Sequence, residues 1–463
     1  MGAVHLDGLV EELRPWLEEA VVRHRVPGTV VGVLGDGELV EAAAGVTNLR
    51  TGVPVTTDTL FLIGSISKLW TATLVMRLVD RGDVDLDDPV RRYLPDLRLS
   101  DEDAARELTV RHLLCHTSGI DENLLFDARD DDCIERFVAG LPELPQLHPP
   151  GLIYSYCNSG IMLAGRLVEV VTRETYDAAL RRLLVEPLGL THTVTSAEEA
   201  ILHRAAVGHL ADADGSPVVT PVWTLPRATG PAGGTICTTA ADLLAFAKLH
   251  LDEGRAPNGE QLLAPELVRE MTERQADYPD PAIGEAQGLG WRIHRIGGER
   301  AVGHWGGNIG QLCNLLVFPG RSFALAILSN AFRAAPLQAE LTELVLDRAL
   351  GLSAATPPIV DGPLPADLSR FAGSFASNVG CIDVRLRDGG LELESHAESN
   401  WVYELYADEH PSGSLEPVGG GAFELVASSL YGVERPRVMF LDPDGDGSPE
   451  YLHLTGYAYR RVA

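Results

Sequence analysis

The chain has 463 residues and a formal net charge of -29 at pH 7. This length exceeds what a single hydrophobic core usually serves, so we expect more than one domain. The negative charge argues against binding to nucleic acids and to anionic membrane surfaces. The sequence contains no apolar run of the roughly 18 residues that predict a transmembrane helix, so we expect no membrane span.

The six cysteines are scattered without the close spacing of a zinc site, and they are too few for a disulfide framework in a chain of this length. We therefore expect no metal ion and no other cofactor. The opening residues, MGAVHLDGLVEELRPW, lack the basic segment and apolar run of a secretory signal. This predicts a cytoplasmic protein, unless a signal peptide has already been removed.

The first part of the chain alternates between helical and β patterns. Residues 8–24 have helical periodicity, and two β-rich runs around residues 35–37 predict a hairpin. A helix is expected over 65–81, with Gly82 ending it. Helices and loops are expected over about 83–205, which we interpret as an all-helical subdomain.

The patterns that follow predict the rest of this domain. Thr239 and Asp242 have the spacing of a capping box at the start of a helix. The runs LCNLLVF and FALAILSN flank PGRS, which predicts an antiparallel hairpin in a buried sheet, and a helix is expected over 336–350. Residues 1–350 thus predict an α/β domain, more narrowly α+β, in which helices flank an antiparallel sheet.

The end of the chain has a different character. Residues 351–366 are rich in proline and glycine and predict a linker. Residues 367–463 alternate in polarity between Gly and Asp turns, which predicts a small all-β barrel. The segment DPDGDG, 442–447, resembles the start of a calcium loop, but the twelfth position is His453 and the flanking runs are β. We interpret it as an acidic hairpin turn.

A serine and a rare lysine lie three residues apart in GSISK. The chain has only two lysines, Lys68 and Lys248, and Lys68 follows Ser65 by three positions, so both lie on one helix face. A serine becomes a nucleophile when a neighbouring base takes its proton, and a buried lysine can be that base whereas an arginine cannot. The simpler interpretation is a capping serine followed by an exposed lysine.

Two further motifs favour the catalytic interpretation. YSYCNSG contains Tyr156 and Asn158, and GHWGG contains His304 and Gly306. With LTVRHLLCHTSGI and GPAGGTICTTAADLLAF, their order resembles serine hydrolases related to class C β-lactamases and low-molecular-weight penicillin-binding proteins. That group includes family VIII esterases, D-aminopeptidases and penicillin-binding-protein-type thioesterases. The resemblance covers residues 10–350 and implies a β-lactamase/transpeptidase-like fold; the tail is similar to the lipocalin-like domain of some members.

The resemblance implies a role for each motif residue. Ser65 would form the acyl-enzyme, and Lys68 would help to deprotonate it. Tyr156 would pass the proton to the leaving group, with its pKa lowered by adjacent cations. Asn158 would hydrogen-bond Lys68 and the substrate, and His304 would line the strand edge above the serine.

The same resemblance implies an oxyanion hole formed by the backbone N–H groups of Ser65 and Gly307. Gly306 and Gly307 would let the substrate lie close to the strand. Trp305 and Tyr154 are candidates for the wall of the acyl pocket, with the protein core as the alternative for each.

Three histidines need separate interpretation. β-Lactamases usually have lysine at the position of His304, whereas esterases, peptidases and thioesterases often have histidine there. Together with the missing export signal, this argues against a periplasmic role in drug resistance. His112 and His116 belong to the segment ending in HTSG, and we expect both to be structural.

We therefore predict a serine acyl-transfer enzyme that cleaves an ester, a thioester or a peptide-like amide through Ser65. Water as acceptor gives a hydrolase such as an esterase. An amine gives a transacylase or macrocyclising thioesterase of specialised metabolism, such as antibiotic biosynthesis, with the tail shielding the acyl-enzyme from water. The expected partners are a small-molecule or peptide-like acyl substrate and either an amine acceptor or a carrier-bound thioester. The rival hypothesis is a non-catalytic, penicillin-binding-like sensor.

Overall fold

A computed structural model gives the fold of the chain. The described residues are 4–122, 130–212, 214–353, 365, 367–378, 380–397, 411–426, 429–430, 433–443, 445 and 447–462. Most of the predicted linker, 351–366, lies outside these ranges, so that boundary stays a prediction.

An eight-stranded sheet forms the centre of the first part of the chain. Its strand order is β2-β1-β12-β11-β10-β9-β8-β7, and all neighbouring strands are antiparallel. The strands of this part are β1 Gly28–Gly35, β2 Glu38–Gly45, β3 Phe61–Leu62, β4 His209–Ala211, β5 Pro217–Val219, β6 Cys237–Thr238, β7 Ala276–Asp277, β8 Ala286–Gln287, β9 Arg292–Ile296, β10 Glu299–Asn308, β11 Gln311–Phe318 and β12 Phe323–Ser329. Both predicted hairpins, β1–β2 and β11–β12, are confirmed.

Helices cover both faces of this sheet. They are α1 Leu9–Arg23, α2 Ser67–Asp80, α3 Glu102–Glu107, α4 Val110–Leu114, α5 Cys133–Ala139, α6 Asn158–Thr172, α7 Tyr176–Leu180, α8 Glu186–Leu188, α9 Ala197–Ala200, α10 Ala240–Leu251, α11 Pro265–Thr272 and α12 Ala335–Leu350. The described residues between 83 and 205 form helices and connecting loops, as the sequence predicts.

Alternation along the strands produces two apolar cores. Val30 of β1 belongs to the core that contains α2, α6 and α10, whereas Val31 and Val33 belong to the core that contains α1 and α12. Successive strand side chains point to opposite faces, so β1, β11 and β12 each contribute to both cores. The mixed helix and antiparallel sheet class is confirmed.

Two local predictions need correction. The helix after the nucleophile motif does not begin at Ser65: a 3-10 turn, Gly64–Ile66, precedes α2. Thr239 caps α10 by accepting the Asp242 N–H, but the Asp242 carboxylate accepts from Thr193 Oγ1 and a neighbouring backbone N–H, not from Thr239 N–H. The second hydrogen bond of the predicted capping box is therefore replaced by contacts of the Asp242 carboxylate with residues 192 and 193.

The tail folds as a closed barrel of eight strands, which confirms the all-β prediction. The barrel strands are β13 Gly373–Ser377, β14 Gly380–Arg387, β15 Gly390–Ala397, β16 Ser412–Gly419, β17 Ala422–Leu425, β20 Arg437–Leu441, β21 Tyr451–Leu454 and β22 Tyr457–Arg461, with the short pair β18 Ser429–Leu430 and β19 Val433–Glu434 beside it. The rings of Phe371, Phe375, Phe423 and Phe440 pack together inside. The narrower likeness to lipocalins stays a prediction.

Candidate active site

Ser65 lies in the 3-10 turn between β3 and α2, directly against β10. Gly64 has a φ of 53°, and a Cβ there would lie 2.5 Å from the carbonyl oxygen of Gly307. Only glycine fits such an approach with a positive φ. The turn therefore places the serine hydroxyl at the strand that carries the third motif.

Lys68 is completely buried behind the serine. Its Nζ donates to Ser65 Oγ at 3.1 Å and to the carbonyl oxygen of Ala232 at 2.5 Å. Burial lowers the pKa of the ammonium, and the positive charge of Arg292 acts in the same direction, while Glu122 opposes both. A lowered pKa makes the neutral amine accessible, which is the form that can accept the serine proton.

Tyr156 is buried beside this pair, and the Ser65 side chain is near enough to oppose the effect of burial on its pKa. The Lys68 Nζ lies 4.8 Å from the centre of its ring. The prediction of a lowered tyrosine pKa was wrong, because burial raises the pKa and outweighs the opposing effect of Arg292. Tyr156 is therefore a neutral hydroxyl that can donate one proton and accept another.

Asn158 is the first residue of α6 and binds a residue that the sequence analysis did not single out. Its side-chain Nδ2 donates to Glu122 Oε1, and its backbone N–H donates to Glu122 Oε2 at 2.6 Å. Glu122 follows HTSGI by two positions, and that proximity is the only signal for it in the sequence. The motif asparagine thus links the start of α6 to a buried carboxyl group.

His304 and Trp305 are neighbours on β10 with opposite environments. His304 is buried, its Nδ1 lies 2.5 Å from the carbonyl oxygen of Trp305, and burial holds its pKa well below the ordinary value. It is therefore neutral, so it does not supply the positive charge of the lysine that β-lactamases carry there. The side chain of Trp305 is 40% exposed and stands at the edge of the site.

β10 lies very close to the turn before α2 at Gly306, while the oxyanion hole expected from Ser65 and Gly307 stays a prediction. A Cβ on Gly306 would lie 1.9 Å from the carbonyl oxygen of Ile63 and 2.9 Å from the backbone nitrogen of Ser65. The pairing of β10 with β9 ends at the Gly303–Arg292 pair, so among the described residues no strand pairs with this edge of β10 beyond Gly303. An extended substrate can pair with such an edge.

Arg292 is a second residue that the sequence analysis missed. Only 5% of the residue is exposed, and its Cζ lies 5.5 Å from the Tyr156 ring centre and 5.1 Å from that of Trp305. Its Nε has no hydrogen-bond partner among the described residues. Although burial opposes it, the surrounding tyrosines raise the pKa of the guanidinium, so a permanent positive charge borders the site. The run GLGWRIHRI offered a weak signal, since Arg292 follows the apolar residues of a predicted strand.

The last three residues considered in the sequence analysis are His116, His112 and Tyr154. His116 Nδ1 accepts the Cys157 N–H at 3.1 Å, and His112 forms a capping box with Thr109, so both histidines have structural contacts, as predicted. Tyr154 is buried with its ring 4.7 Å from that of Tyr278, which places it in the core.

The barrel contacts the same segment of the site. The Tyr156 N–H donates to the Gly456 carbonyl at 2.8 Å, and the Ala458 N–H donates to Ser155 Oγ at 3.2 Å. The ring of Tyr457 packs edge-on against that of Tyr156, with centres 5.5 Å apart. The turn between β21 and β22 is therefore a wall of the candidate active site.

The described residues contain neither a cluster for a metal ion nor a helix that could cross a membrane. Among them, no group of three or more His, Cys, Asp or Glu side chains could hold a metal ion. In the acidic turn, Asp442 accepts the N–H groups of Gly445 and Gly447 at 2.9 and 2.8 Å, while Asp444 and Asp446 lie outside the described residues. Within the described part of the chain, no helix has the length and apolar character to cross a membrane.

Comparisons with known proteins agree with this geometry. The beta-lactamase family profile matches residues 13–350. Penicillin-binding protein 4 of Amycolatopsis lactamdurans is 39% identical over 359 residues, which cover 76% of this chain and 93% of that protein.

Solved structures extend the likeness over the barrel. SurE is 28% identical with a TM-score of 0.80, covering 98% of this chain and 99% of SurE, and it has also been solved with D-Leu. The D-amino acid amidase of Ochrobactrum anthropi SV3, complexed with L-phenylalanine amide, is 26% identical with a TM-score of 0.59, covering 70% of this chain and 91% of that one.

Proposed function

The chain belongs to the beta-lactamase family of serine hydrolases, and we propose that it transfers acyl groups through an ester on Ser65. The observation that carries this proposal is the hydrogen bond from the buried Lys68 Nζ to Ser65 Oγ. A buried amine of lowered pKa in contact with a serine hydroxyl is the arrangement that nucleophilic catalysis requires.

Acylation follows from the positions of four groups. Neutral Lys68 takes the Ser65 proton while Oγ attacks the substrate carbonyl, and the N–H groups of Ser65 and Gly307 stabilise the resulting oxyanion. As the intermediate collapses, the Tyr156 hydroxyl gives its proton to the leaving group and receives one from the Lys68 ammonium. The raised pKa of Tyr156 fits this exchange because the tyrosine is never required to rest as an anion.

Deacylation decides between hydrolysis and transfer. Water restores the serine and releases an acid, whereas an amine restores it and releases an amide. We favour an amine as one acceptor because the Tyr457 ring of the barrel packs against Tyr156, and a wall at this place would shield the acyl-enzyme from water. The binding of D-Leu by SurE supports an amino acid or a peptide amine as this acceptor.

Arg292 narrows the substrate class. Its guanidinium is buried and charged, its Nε has no hydrogen-bond partner in the described part of the chain, and Trp305 beside it is partly exposed. A carboxylate on the substrate or acceptor would satisfy this charge with two parallel hydrogen bonds. We therefore propose that one of the two reactants carries a carboxylate near the reacting carbonyl or amine.

The test is covalent labelling followed by turnover. Intact mass should show one acyl group per chain at Ser65 with an activated ester, and Ser65→Ala should abolish both labelling and turnover with little change in melting temperature. Labelling without release of the acyl group by water or any amine would support the sensor hypothesis instead. A cytoplasmic place in antibiotic biosynthesis stays a prediction.

A further inference from the structure

The segment GPAGG, residues 230–234, lies against the turn that carries Ser65. A Cβ on Gly233 would lie 2.5 Å from the carbonyl carbon of Gly64 and 2.8 Å from the backbone nitrogen of Ser65. The φ of 135° at Gly233 also favours glycine. The backbone of this segment is therefore in direct contact with the backbone of the nucleophile turn.

Four successive carbonyl oxygens of this segment accept hydrogen bonds from side chains. The Ala232 carbonyl accepts from Lys68 Nζ at 2.5 Å, and the same nitrogen contacts Ser65 Oγ at 3.1 Å. The carbonyl of Pro231 accepts from Thr71 Oγ1 at 2.7 Å, that of Gly233 from Asn308 Nδ2 at 2.9 Å, and that of Gly234 from Asn308 Nδ2 at 3.2 Å and Thr224 Oγ1 at 2.8 Å.

The Ala232 carbonyl orients the Lys68 amine, because a carbonyl oxygen can only accept a hydrogen bond. It takes an N–H of Nζ whether the amine is charged or neutral. In the neutral form, this contact leaves the lone pair of the nitrogen to turn toward Ser65 Oγ. The position of one backbone carbonyl therefore affects whether the lone pair meets the serine proton.

Asn308, the last residue of β10, holds the two carbonyls that follow Ala232 in the chain. It is 3% exposed, and its Oδ1 accepts the Ile309 N–H at 2.7 Å. Because Oδ1 faces an N–H and Nδ2 faces carbonyl oxygens, a flipped amide would lose these hydrogen bonds. Asn308 thus connects the strand of the GHWGG motif to the segment that orients Lys68.

We propose that Asn308 is a positioning residue for Lys68: its amide holds the segment whose Ala232 carbonyl accepts from Nζ. This inference rests on the proposed function. In the acylation step the proton moves from Ser65 Oγ to Lys68 Nζ, and Asn308 neither gains nor loses one. Asn308 acts on the geometry of this transfer, in which a displacement of about 1 Å can lower the rate about a hundredfold.

The chain offers a matched control for Asn308. Asn330 is also buried, and its Nδ2 also donates to two successive carbonyl oxygens, those of Val46 and Thr47, at 3.0 Å each. These two residues follow β2 and lie outside the segment that binds Lys68. Asn308→Ala and Asn330→Ala each remove two hydrogen bonds to buried backbone, so both should lower the melting temperature. Only Asn308→Ala should change Lys68.

The small number of lysines allows Lys68 to be observed directly. Protein labelled with ¹³C at lysine Cε has two signals, from Lys68 and from Lys248, and Lys248→Arg assigns them. While Nζ is held in place, the two Hε protons of Lys68 have different surroundings and separate chemical shifts. In Asn308→Ala, rotamer exchange of the side chain should average these shifts and bring them together. In Asn330→Ala the two shifts should stay separate.

Kinetics measure the consequence for acylation by an activated ester. Asn308→Ala should lower the limiting rate of Ser65 labelling about tenfold or more, with the ester concentration at half-maximal rate unchanged. Asn330→Ala should stay within about twofold of the wild-type rate. Equal rates in the two variants, or Hε shifts of Lys68 that stay apart in Asn308→Ala, would overturn the proposal.

A second pair of variants covers a failure of Asn308→Ala to fold. Asn308→Ser and Asn330→Ser leave room for a water on the freed carbonyls, and the same two measurements decide between the same outcomes. A wild-type protein that never labels at Ser65 contradicts the proposed function itself. A wild-type protein that labels, together with an Asn308 variant that labels as fast, contradicts only the role of Asn308.

Discussion

The backbone N–H of Tyr156 donates to the carbonyl oxygen of Gly456, a hydrogen bond of 2.8 Å between the YSYCNSG motif and the barrel. It is reinforced by the bond from the Ala458 N–H to Ser155 Oγ. The segment that carries Tyr156 is therefore bound by the tail, although none of the three motifs lies in the tail. The barrel is part of the site rather than an appendage to it.

The first prediction concerns the ring of Tyr457, which packs edge-on against Tyr156. Tyr457→Ala should open the acyl-enzyme to water and raise the ratio of acid to amide product several-fold, while acylation of Ser65 by a small activated ester continues. Tyr457→Phe keeps the ring and should behave as wild type. The measurement is the product ratio with an amine acceptor at matched acylation rates, and an unchanged ratio in Tyr457→Ala would contradict shielding by the barrel.

The sequence predicted the pairing of Ser65 with Lys68 and the antiparallel sheet because their signals are local. Ser65 and Lys68 are three residues apart, and the hairpins are marked by short turns between apolar runs. The 3-10 turn before α2 was missed because it depends on the close approach of Gly307 to Gly64, which no local pattern contains.

The residues that complete the site could not be predicted in the same way. Glu122, Arg292 and Gly456 are brought together only by the packing of α6, β9 and the barrel turn. The predicted direction of the Tyr156 pKa shift was wrong for a related reason. The motifs indicate that cations lie near the tyrosine and lower its pKa, but they do not show how deeply it is buried. Burial raises the pKa of Tyr156 and has the larger effect.

The second prediction uses the two lysines as a matched pair. Lys68→Arg keeps the positive charge, but arginine cannot become neutral in this protein and is too large for a buried site between Ser65 Oγ and the Ala232 carbonyl. Acylation should fall by about a hundredfold or more, the usual contribution of a general base. Lys248→Arg is the control, because Lys248 is partly exposed and paired with Asp252. Acylation at the wild-type rate in Lys68→Arg would exclude Lys68 as the base.

The third prediction tests the carboxylate expected at Arg292. Arg292→Gln should raise the KM for a substrate or acceptor that carries a carboxylate at least tenfold, since charge-assisted hydrogen bonds contribute about 1.5–3 kcal/mol. The KM for a neutral ester should change much less. Arg295→Gln is the matched control, because that arginine lies on the same strand with its side chain exposed and paired with Glu285. Equal effects of Arg292→Gln on charged and neutral substrates would argue for a purely structural role.

The fourth prediction concerns acid stability and follows from buried histidines. Burial lowers the pKa of His250 to about 3, whereas an unfolded histidine titrates near 6.5. Below pH 6.5 the unfolded chain therefore binds a proton that the folded chain refuses, so the free energy of unfolding falls as the pH falls. The same holds for His148, whose pKa is lowered to about 4. Asp121 acts in the opposite direction, because burial raises its pKa to about 6.

As the pH falls, the two histidines lower the free energy of unfolding and Asp121 raises it. The pH dependence of the wild type alone therefore does not isolate His250, and a variant must be compared with it. His250 packs between Phe246 and Trp291, and His250→Gln replaces it with a side chain that stays neutral. Between pH 7.5 and pH 5, the variant should lose about 2 kcal/mol less free energy of unfolding than wild type. Urea unfolding at the two pH values measures this difference, with His5→Gln as an exposed control that should lose as much as wild type. Equal losses in His250→Gln and wild type would mean that His250 takes up a proton in the folded state, which its burial opposes.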